Sequence, residues 1–240
     1  MNVLVGTSGW SYKEWKGSFY PPKIPAEEML RFYAGHFPTV EVNNSFYRIP
    51  AERVLAGWAE QVPESFRFVM KASRRVTHNN RLRDEDGSLG YFLRAINPLG
   101  ERLGPTLFQL PPNFKKDMDR LNGFLSALPR HWPAAMEFRH ASWFDEEVYD
   151  ALKARSVALV TVDENEDEGI GSPLVPTATW GYLRLRRVSY DEAHLRTWAE
   201  RILDQSWSAA YVFLKHEDGS PTGPAAAAQI FRILEQIRKT

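Results

Sequence analysis

Charged and amide side chains stand in, or directly after, short apolar segments of this sequence. They are Glu41, Asn43, Lys71, Gln109, Glu137, Arg139, Asp163, Arg184, Arg186 and Lys215. Strands buried on both faces normally read as nearly continuous apolar runs, so a charge in such a run needs a partner or a function. The mixture of carboxylates and cations favours a polar or anionic ligand over an apolar one.

Two of the carboxylates are candidates for general acid–base catalysis. Glu41 or Glu137 would serve if burial, or the other carboxylate, raised its pKa. Charge-assisted hydrogen bonds from cations would hold an anionic substrate. The ligand-binding candidates of this polar type are Arg139, Lys71, Asn43, Arg184, Arg186, Lys215 and His140. The alternative is that the charges form a fully ion-paired layer with no ligand.

Aromatic residues follow the same apolar segments and add possible walls for a pocket. Those we treat as ligand-binding candidates are Trp10, Tyr12, Tyr47 and Trp143. Their rings would stack a base or a sugar, although aromatic residues at such junctions also pack beneath loops. Three histidines, His78, His140 and His216, lie near the same positions, where a lone histidine is more often solvated than catalytic.

Eight apolar runs rich in Val, Leu and Phe recur about every 30 residues, which is the unit size of a (β/α)8 barrel. They are 3–5, 39–42, 66–70, 106–110, 134–138, 157–162, 182–185 and 210–214. Amphipathic segments separate most of them, so strand and helix alternate as in a parallel sheet. We expect one TIM-type barrel domain over 1–240. A flavodoxin-like open sheet is the alternative, but it needs only five or six strands.

The barrel hypothesis places the charged residues together. Strand side chains alternate between faces, so Glu41 and Asn43 point the same way, as do Arg184 and Arg186. In a barrel that direction is the interior near the carboxyl ends of the strands, where active sites of this fold are built.

Helix signals agree with the alternation except in one unit. Pro25 and Pro224 are expected at the first position of their helices, and Asp191 is expected to cap another. Between Asp163 and Trp180 the sequence offers acidic residues, Gly, Ser and Pro instead of a periodic apolar face. We therefore expect the sixth helix to be absent or degenerate.

Composition excludes several classes of protein. The 240 residues include no cysteine, which excludes disulfides, thiolate nucleophiles and cysteine-ligated metals, and no metal site is expected. Thirty basic residues balance thirty acidic ones, so nucleic acid is a disfavoured partner and a membrane is not expected as one. No run is long enough for a secretory signal or a membrane span, so we expect a cytoplasmic protein. Nucleotide-loop, dinucleotide, GxSxG and HExxH motifs are missing, and no particular cofactor is indicated.

Four motifs together resemble the YecE-like family, domain of unknown function 72, over nearly the whole chain. They are GTSGWSY at Gly6–Tyr12, VEVNNSFYRIP at Val40–Pro50, QLPPNF at Gln109–Phe114 and EFRHASW at Glu137–Trp143. The resemblance implies a barrel distantly similar to endonuclease-IV-type and sugar-isomerase-type barrels, and it carries no established activity. The family pattern falls on Trp10, Tyr12, Glu41, Asn43, Phe46, Tyr47, Arg48, Lys71, Gln109, Pro111, Glu137, Arg139, His140 and Trp143.

The sequence departs from the family pattern at two places. The family's Arg-x-His-Gly reads Arg184-Leu185-Arg186-Arg187 here, and its Phe-x-Asn reads Phe213-Leu214-Lys215. Cations have replaced two polar residues, so the resemblance implies a pocket that favours anions more strongly.

Three functions remain as hypotheses. The first is a hydrolase or lyase acting on a small phosphorylated or otherwise anionic substrate, with Arg139, Arg186 and Lys215 holding the anion. A glycosidase is disfavoured because arginines stand where a late second carboxylate is expected. The second is a non-catalytic binder of a nucleotide or nucleic acid, using the basic segment 74–83. The third is a scaffold with a vestigial site.

Overall fold

Eight parallel strands close into a barrel in the order in which they occur along the chain, and the last strand pairs with the first. The computed structural model describes residues 1–165, 171–215 and 222–239. The strands are β1 (Asn2–Ser8), β2 (Thr39–Val42), β3 (Arg67–Lys71), β4 (Leu103–Gln109), β5 (Ala134–Glu137), β6 (Ala158–Asp163), β7 (Trp180–Leu185) and β8 (Ala209–Leu214). The closed barrel confirms the predicted fold class, and the open-sheet alternative is wrong.

Helices surround the barrel. They are α1 (Met29–Ala34), α2 (Glu52–Gln61), α3 (Ser88–Ile96), α4 (Met118–Ala127), α5 (Glu146–Ala154), α6 (Glu192–Leu203) and α7 (Thr222–Ile237). Short 3-10 helices lie at Lys13–Trp15, Ala26–Glu28, Asn44–Phe46, Asn97–Arg102 and Ala141–Trp143, and a π-helix lies at Arg75–Asn79. Within the described ranges, no helix is long and apolar enough to cross a membrane.

The proline positions differ from the prediction, whereas the Asp191 cap is confirmed. Asp191 accepts a hydrogen bond from the backbone N–H of His194 at 2.8 Å, before α6. Pro25 lies one residue ahead of its 3-10 helix, and Pro224 is the third residue of α7. Both positions tolerate proline because the first N–H groups of a helix have no acceptor within it.

The connection between β6 and β7 has no helix in its described residues, as the sequence predicted. Among residues 164–165 and 171–179 the structure contains no helix, and 166–170 lie outside the described residues. Ser172 Oγ donates to the Val160 carbonyl at 2.6 Å and accepts from the Val162 N–H at 2.7 Å. Thr177 Oγ1 accepts from the Leu159 N–H at 2.7 Å. Hydroxyl side chains therefore hold this segment against β6 without an apolar helix face.

Two apolar clusters account for the core. The larger lies between the strands and the surrounding helices, and the smaller fills the barrel interior with residues such as Val69, Leu107, Val160, Tyr182 and Phe213. The interior cluster forms a solid floor, so polar side chains at the carboxyl ends of the strands cannot sink into the barrel. They must satisfy one another or face solvent.

The pairing of β1 with β2 leaves no room for a side chain at Gly6. Gly6 is in register with Thr39, and a Cβ at Gly6 would collide with the Thr39 carbonyl oxygen. Gly6→Ala should therefore lower the free energy of unfolding by about 1–3 kcal/mol, measured by denaturant titration.

The matched control is Gly123→Ala in the exposed face of α4, where a Cβ would meet no atom within 4 Å. It should raise the free energy of unfolding by about 0.5–1 kcal/mol because alanine favours helix over glycine. Equal effects of the two substitutions would contradict the close approach of β1 to β2.

Candidate functional site

A buried arginine joins two buried glutamates at the carboxyl end of the barrel. Arg184 on β7 donates from Nε and Nη2 to the two carboxylate oxygens of Glu41 on β2, at 2.9 and 2.8 Å. Its Nη1 donates to Glu137 Oε2 on β5 at 2.7 Å. All three side chains are almost wholly removed from solvent. These three residues, here called the ion-pair layer, connect strands on opposite sides of the barrel.

Neutral hydrogen-bond donors occupy the remaining positions around the layer. Glu41 also accepts from Ser8 Oγ at 2.8 Å, Asn43 Nδ2 at 3.0 Å and Tyr182 OH at 2.7 Å. Glu137 also accepts from Gln109 Nε2 at 2.7 Å. Such complete satisfaction offsets the large cost of taking the charges out of water.

The ion-pair layer keeps both carboxylates ionised. Burial by itself raises the pKa of Glu41, but the attraction of Arg184 and hydrogen bonds from Arg184, Tyr182 and Ser8 lower that pKa to about 2. Burial also raises the pKa of Glu137, and the charges of Arg184 and then Lys71 bring it below its ordinary value. The predicted acid–base role of Glu41 and Glu137 required raised pKa values. The ion-pair layer lowers the pKa of both carboxyl groups instead.

A cavity of about 460 Å³ opens above the ion-pair layer, and we call it the mouth cavity. It is lined by Ser8, Tyr12, Asn43, Phe46, Tyr47, Lys71, His78, Gln109, Arg139, Arg184, Arg186 and Lys215. Three arginines and two lysines thus line it, and among the described lining residues there is no carboxylate. The two glutamates lie beneath, covered by their hydrogen-bond partners.

The cavity cations differ in how they are paired. Arg139 Nε lies 3.8 Å from Glu137 Oε1, and Arg186 Nε lies 3.4 Å from Glu164 Oε2. Lys71 Nζ lies 4.6 Å from the centre of the Phe46 ring. Burial, and then repulsion from Arg184, lower the pKa of Lys71 to about 8. Lys71 is therefore a cation that can lose its proton near neutral pH.

His78 lies in the mouth cavity on the π-helix that follows β3, a distortion of helix geometry that is frequent at functional sites. Its Nδ1 is 2.9 Å from Thr77 Oγ1, and its ring packs edge to face on Phe46. Burial, and then the charges of Lys71 and Arg139, lower the pKa of His78 to about 4. The ring is therefore neutral at pH 7.

Sequence reasoning underweighted this histidine, along with Ser8 and Phe46. His78 stands inside the basic segment 74–83, and the end of β3 leads straight into that segment. The position of His78 in a segment directly after a strand was the sequence signal that could have identified it as a site residue.

Two of the predicted ligand-binding residues have structural roles instead. Trp143 is fully buried, stacks on Phe138 with ring centres 4.7 Å apart, and donates from its indole N–H to the Phe114 carbonyl at 2.7 Å. His140 accepts from the Ser142 N–H and caps the 3-10 helix at Ala141–Trp143. Neither lines the mouth cavity, because local hydrogen bonds and packing hold both side chains in the loop after β5.

Trp10 is also displaced from the charged site. It packs edge to face on Trp58 with ring centres 4.9 Å apart, and it lines a neighbouring cavity of about 320 Å³. Tyr12 and Asn43 line both cavities and form the wall that they share. His216, which the sequence places near a strand end, lies outside the described residues, as do residues 166–168 of the acidic segment after β6.

Within the described part of the chain, no group of three His, Asp or Glu side chains is placed to hold a metal ion. The residues that meet at the mouth are instead suited to holding an anion and to moving a proton through an amine or an imidazole.

Replacing Arg184 tests the ion-pair layer. Arg184→Met should destabilise the protein by about 3–5 kcal/mol at pH 7, because it leaves two buried carboxylates without a cation. The control Arg196→Met breaks an exposed pair with Glu192 on α6 and should change the free energy of unfolding by less than about 0.5 kcal/mol. Denaturant unfolding measures both.

The pH dependence separates lost charge pairing from lost packing. In the wild type, lowered carboxyl pKa values stabilise the fold above about pH 4.5, and this contribution is lost as the pH falls towards 2. In Arg184→Met, burial alone raises those pKa values, so protonation relieves the cost as the pH falls. The stability difference from wild type should shrink between pH 7 and pH 5, and a constant difference would contradict the pairing.

Comparison with known proteins agrees with this architecture. The family profile described as "Protein of unknown function DUF72" matches residues 4–240. The crystal structure of a DUF72 family protein from Thermotoga maritima superposes with a TM-score of 0.87 at 29% identity, covering 98% of this chain and 100% of that one.

Two curated proteins are similar to this chain in sequence. UPF0759 protein YunF of Bacillus subtilis is 31% identical over 73% of this chain and 64% of its own length. UPF0759 protein YecE of Escherichia coli is 30% identical over 67% of this chain and 59% of its own length. The chain thus matches about three fifths of the length of these relatives. The family profile matches nearly the whole chain, and this match establishes that the chain belongs to the DUF72, or YecE-like, family.

Proposed function

We propose that the mouth cavity binds a small anionic or phosphorylated molecule. The observation that carries this proposal is the separation of charge at the carboxyl end of the barrel. Five cations line the cavity, while Glu41 and Glu137 lie beneath it bonded to Arg184, and Glu164 is paired with Arg186. A ligand entering the cavity therefore meets positive charge.

The crowding of cations favours an incoming anion. Burial, and then repulsion from Arg184, lower the pKa of Arg186, and the same two causes lower that of Lys71. Burial and mutual repulsion thus disfavour the charged forms of Lys71 and Arg186, and a bound phosphate or carboxylate would stabilise them. Charge-assisted and bidentate hydrogen bonds are strongest where water is partly excluded, as at Arg139 and Arg186 beside the buried layer.

We infer that the molecule is an enzyme in which the glutamates do not transfer protons. Their carboxylates are ionised and already accept hydrogen bonds, so Lys71 and His78 are the groups suited to acid–base work at the cavity. A lyase fits this arrangement better than a hydrolase, because carboxylate-driven activation of water needs a free carboxylate. Arg139, Arg186 and Lys215 would position the anionic group.

The two other hypotheses receive less support. A nucleic-acid binder would use the basic segment, where Arg74 and Arg83 are exposed while Arg75 is paired with Asp86 at 2.7 Å. A shift of labelled single-stranded DNA at low salt would favour that function. A scaffold with a vestigial site agrees with the complete pairing of the ion-pair layer, but the open mouth cavity above that layer weighs against it.

Removing one cation should weaken anion binding. We expect inorganic phosphate and small phosphorylated compounds to bind the wild type, and Arg139→Ala to bind them roughly tenfold more weakly or worse. Because Arg139 is 31% exposed and 3.8 Å from its partner, the free energy of unfolding should change by less than about 1 kcal/mol. Isothermal titration calorimetry measures the affinity.

Arg196→Ala is the matched control, since it removes an exposed arginine of α6 that does not line the mouth cavity. Its anion affinity should equal that of the wild type. Equal, negligible heats for the wild type and Arg139→Ala would mean that the cations only neutralise the buried carboxylates, and the proposed function would fall.

A further inference from the structure

Lys71 stands apart from the arginines that share the mouth cavity with it. Arg139, Arg184 and Arg186 each have a carboxylate oxygen within 3.8 Å. Among the described residues, Lys71 Nζ has neither an ion pair nor a hydrogen bond, and its contact is the Phe46 ring. A lysine that only balanced the buried carboxylates would be expected to contact one of them.

We propose that Lys71 Nζ is a nucleophile that forms a Schiff base with the carbonyl group of an anionic substrate held by Arg139 and Arg186. This inference rests on the proposed anion site and names its substrate class, a small aldehyde or ketone that carries a phosphate or a carboxylate. The amine lies at the end of β3, among side chains from other strands, as reacting groups do in this fold.

The surroundings of Lys71 favour the neutral amine, which is the reactive form. An amine in a desolvated site beside other cations loses its proton more readily than one in water. With a pKa of about 8, roughly a quarter of Lys71 is neutral at pH 7.5, against about a thousandth of an ordinary lysine. Burial contributes most to this lowered pKa, and repulsion from Arg184 and, less strongly, from Arg186 adds to it. Arg186 therefore both holds the substrate's anionic group and favours the neutral amine.

The reaction balances without an oxidant or a reductant. The lone pair of the neutral Nζ forms a bond to the carbonyl carbon, and the electron pair of the C=O π bond moves to the oxygen. One proton passes from nitrogen to that oxygen, giving a carbinolamine. A second proton then allows the C–O bond to break with release of water, and the nitrogen lone pair forms the C=N bond of a cationic imine.

His78 is suited to relay these protons. Its ring is neutral at pH 7 and packs on the same Phe46 ring as Lys71, with ring centres 4.7 Å apart. The cationic imine withdraws electrons from the neighbouring carbon, so a bond to that carbon becomes easier to break. This is the chemistry that a lyase requires.

Reductive trapping tests the proposal directly. The intact protein is incubated with glycolaldehyde phosphate and sodium cyanoborohydride, and the modified peptides are mapped by mass spectrometry. Lys71 should be modified at least about tenfold faster than any other lysine at pH 7.5. The rate should rise with pH to a midpoint near 8, since the neutral amine reacts. Glycolaldehyde without phosphate should lose the preference for Lys71, and added sulfate should slow the reaction.

Variants distinguish the Schiff-base proposal from the proposed anion site on which it rests. Lys71→Arg keeps a cation but has no amine, so it should bind inorganic phosphate within about threefold of the wild type and give no adduct at this position. Lys153→Arg on the exposed face of α5 should react as the wild type does. Modification of Lys215 or of surface lysines at the rate of Lys71 would overturn the Schiff-base proposal. Phosphate binding without any trapped adduct would overturn it too, yet leave the proposed function standing, whereas loss of both would refute both.

Discussion

The site depends on the charged hydrogen bonds that Arg184 donates to Glu41 and Glu137. One guanidinium uses three nitrogens to join strands β2, β5 and β7, with every donor–acceptor distance between 2.7 and 2.9 Å. Arginine suits this position because its donors form a rigid planar fork, which lysine lacks. The bond both spans the top of the barrel and neutralises carboxylates that burial would otherwise force to bind protons.

The same bond decides the chemistry of the cavity above it. Because Arg184, Ser8, Gln109 and Tyr182 occupy the oxygens of Glu41 and Glu137, these two carboxylates present little negative charge to the mouth. Among the described residues, the five cations that line the cavity outnumber the three carboxylates paired with them, Glu41, Glu137 and Glu164. This arrangement is the basis of the proposed anion site, while burial and then repulsion from Arg184 lower the pKa of Lys71. The proposed acid–base function therefore rests on an amine and an imidazole instead of the carboxylates that the sequence suggested.

The departures from the family pattern act in the same direction. The resemblance drawn from the sequence implies that Arg186 and Lys215 replace a histidine and an asparagine, and both residues line the mouth cavity. The barrel tolerates them because their side chains lie at the carboxyl ends of β7 and β8, beyond the apolar floor that includes Tyr182 and Phe213. A charge deeper in the barrel would have to be paired or neutral.

The sequence by itself indicated the fold and the charged residues at the mouth. Eight apolar runs that recur about every 30 residues favour a closed parallel barrel over an open sheet, and their order along the chain predicts that Glu41, Lys71, Glu137 and Arg184 lie at one end. Tertiary structure alone decided which charges pair, because pairing depends on distances between strands far apart in sequence. It turned Trp143 inward against Phe138, and it left Lys71 beside Phe46 rather than a carboxylate. The pKa of a side chain depends on its neighbours in space, and the spacing of residues along the sequence does not specify those neighbours.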